Sequence, residues 1–217
     1  MRPVLRLYED VLANGAVLSL PALPRMIFVV HGSIAISGSA LHDNDAWTAE
    51  SAVRIEAGGA GATIWRWELA RSDDGNGFAA GKATVSRQKL SEPLETLPNG
   101  ALLLRGDSVA FPPGGCAYLH RHQGPGIRCL IEGGIRIDTR GRSNSYGPGA
   151  PWYESGAEPV FAQAADRPTR FIRVMLLPLG YLGKSSIEYL NEEDKAKPKT
   201  QQYKIYADMP IASWAAT

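Results

Sequence analysis

Apolar residues in this chain come in short runs broken by turn residues, with no sustained helical period. RMIFVVHGSIAISG (25–38) reads as an apolar strand, a glycine turn and a second strand, and IRCLIEGGIRID (127–138) repeats that order about 100 residues later. Further apolar runs follow each unit: AVRIEAGGAGATIWRWEL (52–69) in the first half, then PWYESGAEPVFAQA (151–164) and RFIRVMLLP (170–178) in the second. Short strands at regular spacing predict an antiparallel sandwich or barrel, whereas a parallel sheet would need helices between them. The one helical candidate is SSIEYLNEEDKAK (185–197), which opens on serines and stops before Pro198.

A strand–turn–strand unit that recurs at this spacing reads as a duplicated domain. The junction falls near 85–100, where SRQKLSEPLETLPNG is polar and carries Pro93, Pro98 and Gly100. The expected organisation is an N-terminal barrel over 1–90, a C-terminal barrel over 91–183 and an extension over 184–217.

Composition narrows the function classes. The 217 residues are 44% hydrophobic and 21% charged with a formal net charge of +1, so no field gathers nucleic acid or anionic lipid. No apolar run approaches the ~20 residues of a membrane helix. Tyr8, Glu9 and Asp10 interrupt the N-terminus where a signal sequence would be apolar. Two cysteines, Cys116 and Cys129, imply no disulfide framework. The expectation is a cytoplasmic protein, with a homodimer as a further option.

The chemistry concentrates in GGCAYLHRHQGPGIRCLIEGG (114–134), which holds two of the four histidines. In a strand, residues i and i+2 point to one face, so His120 and His122 can both aim into a barrel, with Cys116 and Tyr118 below them. Paired imidazoles suit Fe, Mn, Ni, Cu or Zn. Glu154, on the strand WYESG, is the first candidate for a third ligand, with a solvent-facing carboxylate as the alternative. Gln123 is a weaker one, because a neutral amide oxygen binds metal poorly. Arg128 shares parity with Gly126; it would pair with Glu154, clamp a substrate carboxylate bidentately, or lie on the surface. Tyr118 and Tyr153 offer hydroxyl donors or core filling.

A glycine (Gly114 or Gly115), His120, His122 and a strand ending at Gly133 resemble the first motif of the cupin superfamily. PGAPWYESGAEPV (148–160) resembles its second. The resemblance implies an all-β fold of tandem jelly-roll barrels with a short C-terminal helical extension, and a divalent transition metal (Fe, Mn, Ni or Zn) held in the second barrel. Two departures stand out. The glutamate expected near Gly126 or Ile127 is missing, and no histidine occurs near Pro159.

The resemblance implies a metal-dependent enzyme acting on a small, anionic organic molecule, with Arg128 and Tyr118 as catalytic candidates. A carboxylate third ligand favours dioxygenase-like chemistry over isomerase, lyase or decarboxylase activity. The alternative is a non-catalytic small-molecule-binding or sensor cupin that has lost full coordination. The first barrel has no His-x-His: His31 and His42 sit in turns, His42 with Asp43 and Asp45 in a solvated loop. Its Trp65 and Trp67 are expected to face the core, with Arg66 and Glu68 on the opposite face. It reads as a degenerate, supporting barrel.

Overall fold

The structure, a computed structural model, describes residues 2–72, 74–75, 77, 81 and 83–214. Among them the chain divides into two compact units, Met1–Glu95 and Thr96–Thr217.

The first unit is a single curled sheet. Its strands are β1 (Pro3–Leu12), β2 (Val17–Leu20), β3 (Arg25–Ile36), β4 (Ser39–His42), β5 (Ala46–Ala49), β6 (Val53–Arg71) and β7 (Thr84–Pro93). The central path runs β4-β3-β6-β1-β7, with β2 on β6 and β5 on β3. β3 and β6 are long because each bends, and register shifts at Val29/His31 and Gly32/Ile34 mark the bend. Gly32 and Gly61 make the crossing feasible. Both have positive φ, and a Cβ on Gly32 would stand 2.2 Å from the Gly61 carbonyl oxygen. Leu12, Leu18, Ile27, Val29, Ile34, Ile36, Ile55 and Ile64 fill the apolar part of this unit. Each such side chain contributes about 1.5–3 kcal/mol by burial.

The second unit has two five-stranded sheets. It contains β8 (Leu102–Phe111), β9 (Cys116–His122), β10 (Gly126–Glu132), β11 (Ile135–Thr139), β12 (Arg142–Tyr146), β13 (Pro151–Glu154), β14 (Val160–Ala164), β15 (Thr169–Pro178), β16 (Ile187–Tyr189), the short helix α1 (Glu192–Ala196) and β17 (Gln202–Ile211). One sheet runs β13-β10-β15-β8-β17 and the other β12-β11-β14-β9-β16. The order β10-β15-β8-β17 repeats β3-β6-β1-β7 of the first unit. Val109, Phe111, Leu130, Ile137, Trp152 and Phe171 fill the space between the sheets.

Two expectations are corrected. The helix expected over 185–197 is reduced to Glu192–Ala196, because Ile187 and Tyr189 pair with His122 and His120 as a strand. A sheet edge needing a partner outweighs a weak helix preference. Arg66 and Glu68 were expected on the face away from the core. They are buried and share the face of Ala62 and Ile64, which belong to the core, while Trp65 and Trp67 are buried on the other face.

Candidate functional site

The site lies between the two sheets of the second unit. β9 carries the histidines, and its pairing with β14 shows why they both point inward. Val160 faces His120, but Ala162 faces Ala117, so β9 has one extra residue between these pairs. This bulge shifts the alternation. Ala117, His120 and His122 all line the interior, whereas Tyr118 and Cys116 do not. The expectation that Tyr118 and Cys116 sit below the histidines is corrected on that ground. The Tyr118 ring instead lies under Lys197 Nζ at 4.8 Å and Lys199 Nζ at 5.5 Å.

The two imidazoles meet edge to face at 4.9 Å. His120 Nδ1 donates to the Tyr118 carbonyl at 2.7 Å, which leaves the Nε2 lone pair facing away from the strand. His122 Nε2 lies 3.5 Å from Arg173 Nη1 and 3.6 Å from Glu154 Oε2. Its Nδ1 faces the Ser186 backbone without a well-formed hydrogen bond. Burial holds both imidazoles below the ordinary histidine pKa. His122 goes well below it, since Arg173 and Arg128 add like-charge repulsion to the burial.

Glu154 is buried rather than solvent-facing. It sits opposite Gly126 in the β10–β13 register, next to the place where a motif glutamate is missing. Trp152 Nε1 donates to its Oε1 at 2.8 Å, and Arg128 Nη2 lies 2.8 Å from its Oε2. Arg128 is fully buried, and its Nη1 donates to the Gly126 carbonyl at 2.7 Å. A Cβ on Gly126 would come within 3.1 Å of that Nη1, so the glycine leaves room for the guanidinium. Burial lowers the Arg128 pKa to about 10, against the opposing effect of Glu154. Gln123 does not reach this group; its amide donates to Glu188 at 3.1 Å.

Sequence reasoning missed Arg173 and Asp107. On adjacent strands β15 and β8 they form a bidentate pair, Nε to Oδ1 at 2.7 Å and Nη2 to Oδ2 at 3.0 Å. The available signal was a charge inside each apolar run, LLLRGDSVAF and RFIRVMLLP. A buried charge needs an opposite partner.

The interior cavity measures about 20 Å³, room for about one water. His120, His122, Arg128, Glu154 and Arg173 surround its polar end, and Phe111, Phe171 and Val160 its apolar end. The donor set of two histidines and one carboxylate is the one expected for a metal. His122 Nε2 and Glu154 Oε2, however, already face guanidinium groups, while His120 Nε2 is uncommitted. An ion on the His122 Nε2 lone pair at the usual ~2.1 Å would lie against Arg173 Nη1. Among the described residues no group of three or more His, Cys, Asp or Glu side chains is placed to hold a metal. The residues present do not fit a resident transition metal in this arrangement.

No family model matches the chain, and no curated protein matches it. Solved structures do. Oxalate decarboxylase from Bacillus subtilis, determined at pH 4.6, superposes with a TM-score of 0.63 over 89% of this chain and 72% of that one, at 15% identity. Another structure of the same enzyme, studied for the fine-structure parameters of its Mn(II) centres, gives 0.64 over 89% and 73%, again at 15% identity. At such identity the likeness shows the fold alone: an all-β jelly roll of the cupin kind.

Proposed function

We propose that the second unit is a metal-free cupin barrel that binds a small organic anion, with Arg128, Arg173, His120 and His122 as its recognition groups. One observation supports this above others: Arg173 stands at the His122 lone pair and Arg128 at the Glu154 carboxylate, so guanidinium groups occupy the positions a metal would use. The two buried arginines offer several N–H donors to an oxyanion, and the two neutral imidazoles border the same space with their Nε2 lone pairs. Arg128 Nη2 lies 2.8 Å from Glu154 Oε2 without an aligned hydrogen bond, so the guanidinium keeps a donor for a ligand oxygen. The reading is a binding or sensing role rather than turnover, because both carboxylates near the cavity are tied to arginines. A dioxygenase preference loses its basis, since it needed a free third carboxylate.

A metal-dependent enzyme is the second reading. It is favoured by the 3.6 Å approach of His122 to Glu154 and by the uncommitted Nε2 of His120. Elemental analysis of untagged protein separates the two. The metal-free reading expects well under one Fe, Mn, Ni or Zn per chain, even after reconstitution. One metal per chain, lost on both His120→Ala and Glu154→Ala, would overturn it and revive the enzyme.

A further inference from the structure

A volume of about 20 Å³ admits a water-sized group but not an organic molecule. Either the barrel opens widely on binding, or most of the ligand lies elsewhere. A second cavity of about 210 Å³ adjoins the first, lined by Arg105, Asp107, Arg173, Lys184, Tyr203 and Ile205 among others. Arg173, Ile187 and Tyr203 line both spaces and therefore form the partition between them.

We infer that the outer cavity, between β17 and residues 183–187, is the seat for the body of the ligand, and that its anionic head group points at Arg173. The inference rests on the barrel reading above and names the ligand class: a small carboxylate with a compact apolar body.

The lining argues for each half of that ligand. Tyr203 and Ile205 are 46% and 53% exposed, unusual for large apolar residues, and both border the cavity. They offer an apolar face that a ring or branched alkyl group would cover. The charge balance favours an anion. Around the two spaces stand Arg105, Arg128, Arg173 and Lys184 against Asp107, Glu154 and Asp208. Arg105 is saturated by Asp208 and by the Lys184 and Tyr181 carbonyls. Arg173 is held by Asp107, and Arg128 by Glu154. Among the described residues no carboxylate lies within ion-pair distance of Lys184, which leaves it as the unbalanced cation at the rim. The volume is below the ~300 Å³ where drug-sized pockets begin, which limits the body to something near a single ring.

Two probes separate the halves of the site on the full-length protein: formate, a head group without a body, and benzoate, a head group with one. Titrations followed by calorimetry and by the imidazole NMR signals give affinities. Benzoate is expected to saturate, at least tenfold tighter than formate. Lys184→Ala and Tyr203→Ala should each weaken benzoate by about tenfold, the equivalent of ~1.4 kcal/mol, with formate less affected by Tyr203→Ala. Lys195→Ala, an exposed lysine on α1, should change neither. Benzoate binding that is insensitive to Lys184→Ala and Tyr203→Ala but lost in His122→Asn would place the body inside the barrel and overturn the outer seat alone. Formate binding without any benzoate binding would do the same. Absence of both would overturn the barrel reading together with this one.

Discussion

The two units solve the same problem with different residues. In each, buried guanidinium groups pair with buried carboxylates, and three of the groups sit on matching strands: Arg25, Arg66 and Asp10 on β3, β6 and β1, Arg128, Arg173 and Asp107 on β10, β15 and β8. In the first unit Arg66 binds Asp10 through Nε at 2.8 Å and Glu68 through Nη1 at 2.6 Å, and Arg25 Nε donates to Glu68 at 3.0 Å. This is one continuous chain. Arg25 is anchored further by the Ser51 and Pro21 carbonyls, and the Arg66 guanidinium stacks on the Tyr8 ring at 4.3 Å. In the second unit the corresponding groups make two separate pairs, Asp107–Arg173 and Glu154–Arg128, with His122 between them. A closed ionic chain leaves little for a ligand to replace. Two pairs bridged by neutral imidazoles leave an aperture. The comparison shows that burying charge is compatible with either a structural filling or a site, and that the histidines of β9 make the difference.

Breaking a buried partner should give the largest effect. Asp10→Ala removes the acceptor of Ser86 and one of the two carboxylates that hold Arg66, and the first unit should lose a few kcal/mol in urea unfolding. A loss under 1 kcal/mol would mean that the chain of ion pairs holds no net stability. Arg128→Met tests the second unit. It should also destabilise, by a few kcal/mol, but the freed Glu154 carboxylate and the uncommitted Nε2 of His120 should now accept Ni²⁺ or Co²⁺, with Arg173 still standing at His122. The expected readout is a metal-dependent rise in melting temperature that neither the wild type nor Asp10→Ala shows. If the wild type gains as much, the guanidinium does not occlude the ion.

The third contrast is pH dependence without metal. His120 and His122 have folded pKa values below the unfolded 6.5, so their contribution to stability is complete above pH 6.5. It is lost as pH falls, because the unfolded chain then binds more protons. The slope approaches about 1.4 kcal/mol per pH unit for each histidine in that window. The first unit's histidines are exposed, so the contrast is between a unit that buries imidazoles and one that does not. Hydrogen exchange resolved by unit at pH 7.5 and 5.5 measures it. Equal loss in both units would contradict the assignment to β9.

How much of this was legible in the sequence follows from what strand alternation can carry. The shared inward aim of His120 and His122 was readable because i and i+2 lie on one face of a strand, whereas for Glu154 the sequence left an inward and a solvent-facing carboxylate equally open. The antiparallel sandwich-or-barrel class was readable from the turn spacing, and the jelly-roll form came only with the family resemblance. Tyr118 was misplaced because a bulge adds one residue to β9, and no local composition marks it. Arg66 and Glu68 were assigned to the wrong face because alternation gives two faces without saying which is enclosed, and here both are. Arg173 and Asp107 needed a long-range pairing, β8 with β15, that separates them by 66 residues. A charge inside an apolar run announces that a partner exists without naming it.

The place of β16 and β17 has a consequence for the order of synthesis. The first unit has all its strands once Pro93 has been translated, and its ionic chain can close then. In the second unit β9 waits for β16 until Tyr189 has emerged, and β8 for its edge partner β17 until Ile211 has. During those intervals Arg173, His122 and the apolar wall they border lack Ile187 and Tyr203. The nascent second barrel is therefore the segment that a ribosome-associated chaperone would find exposed longest.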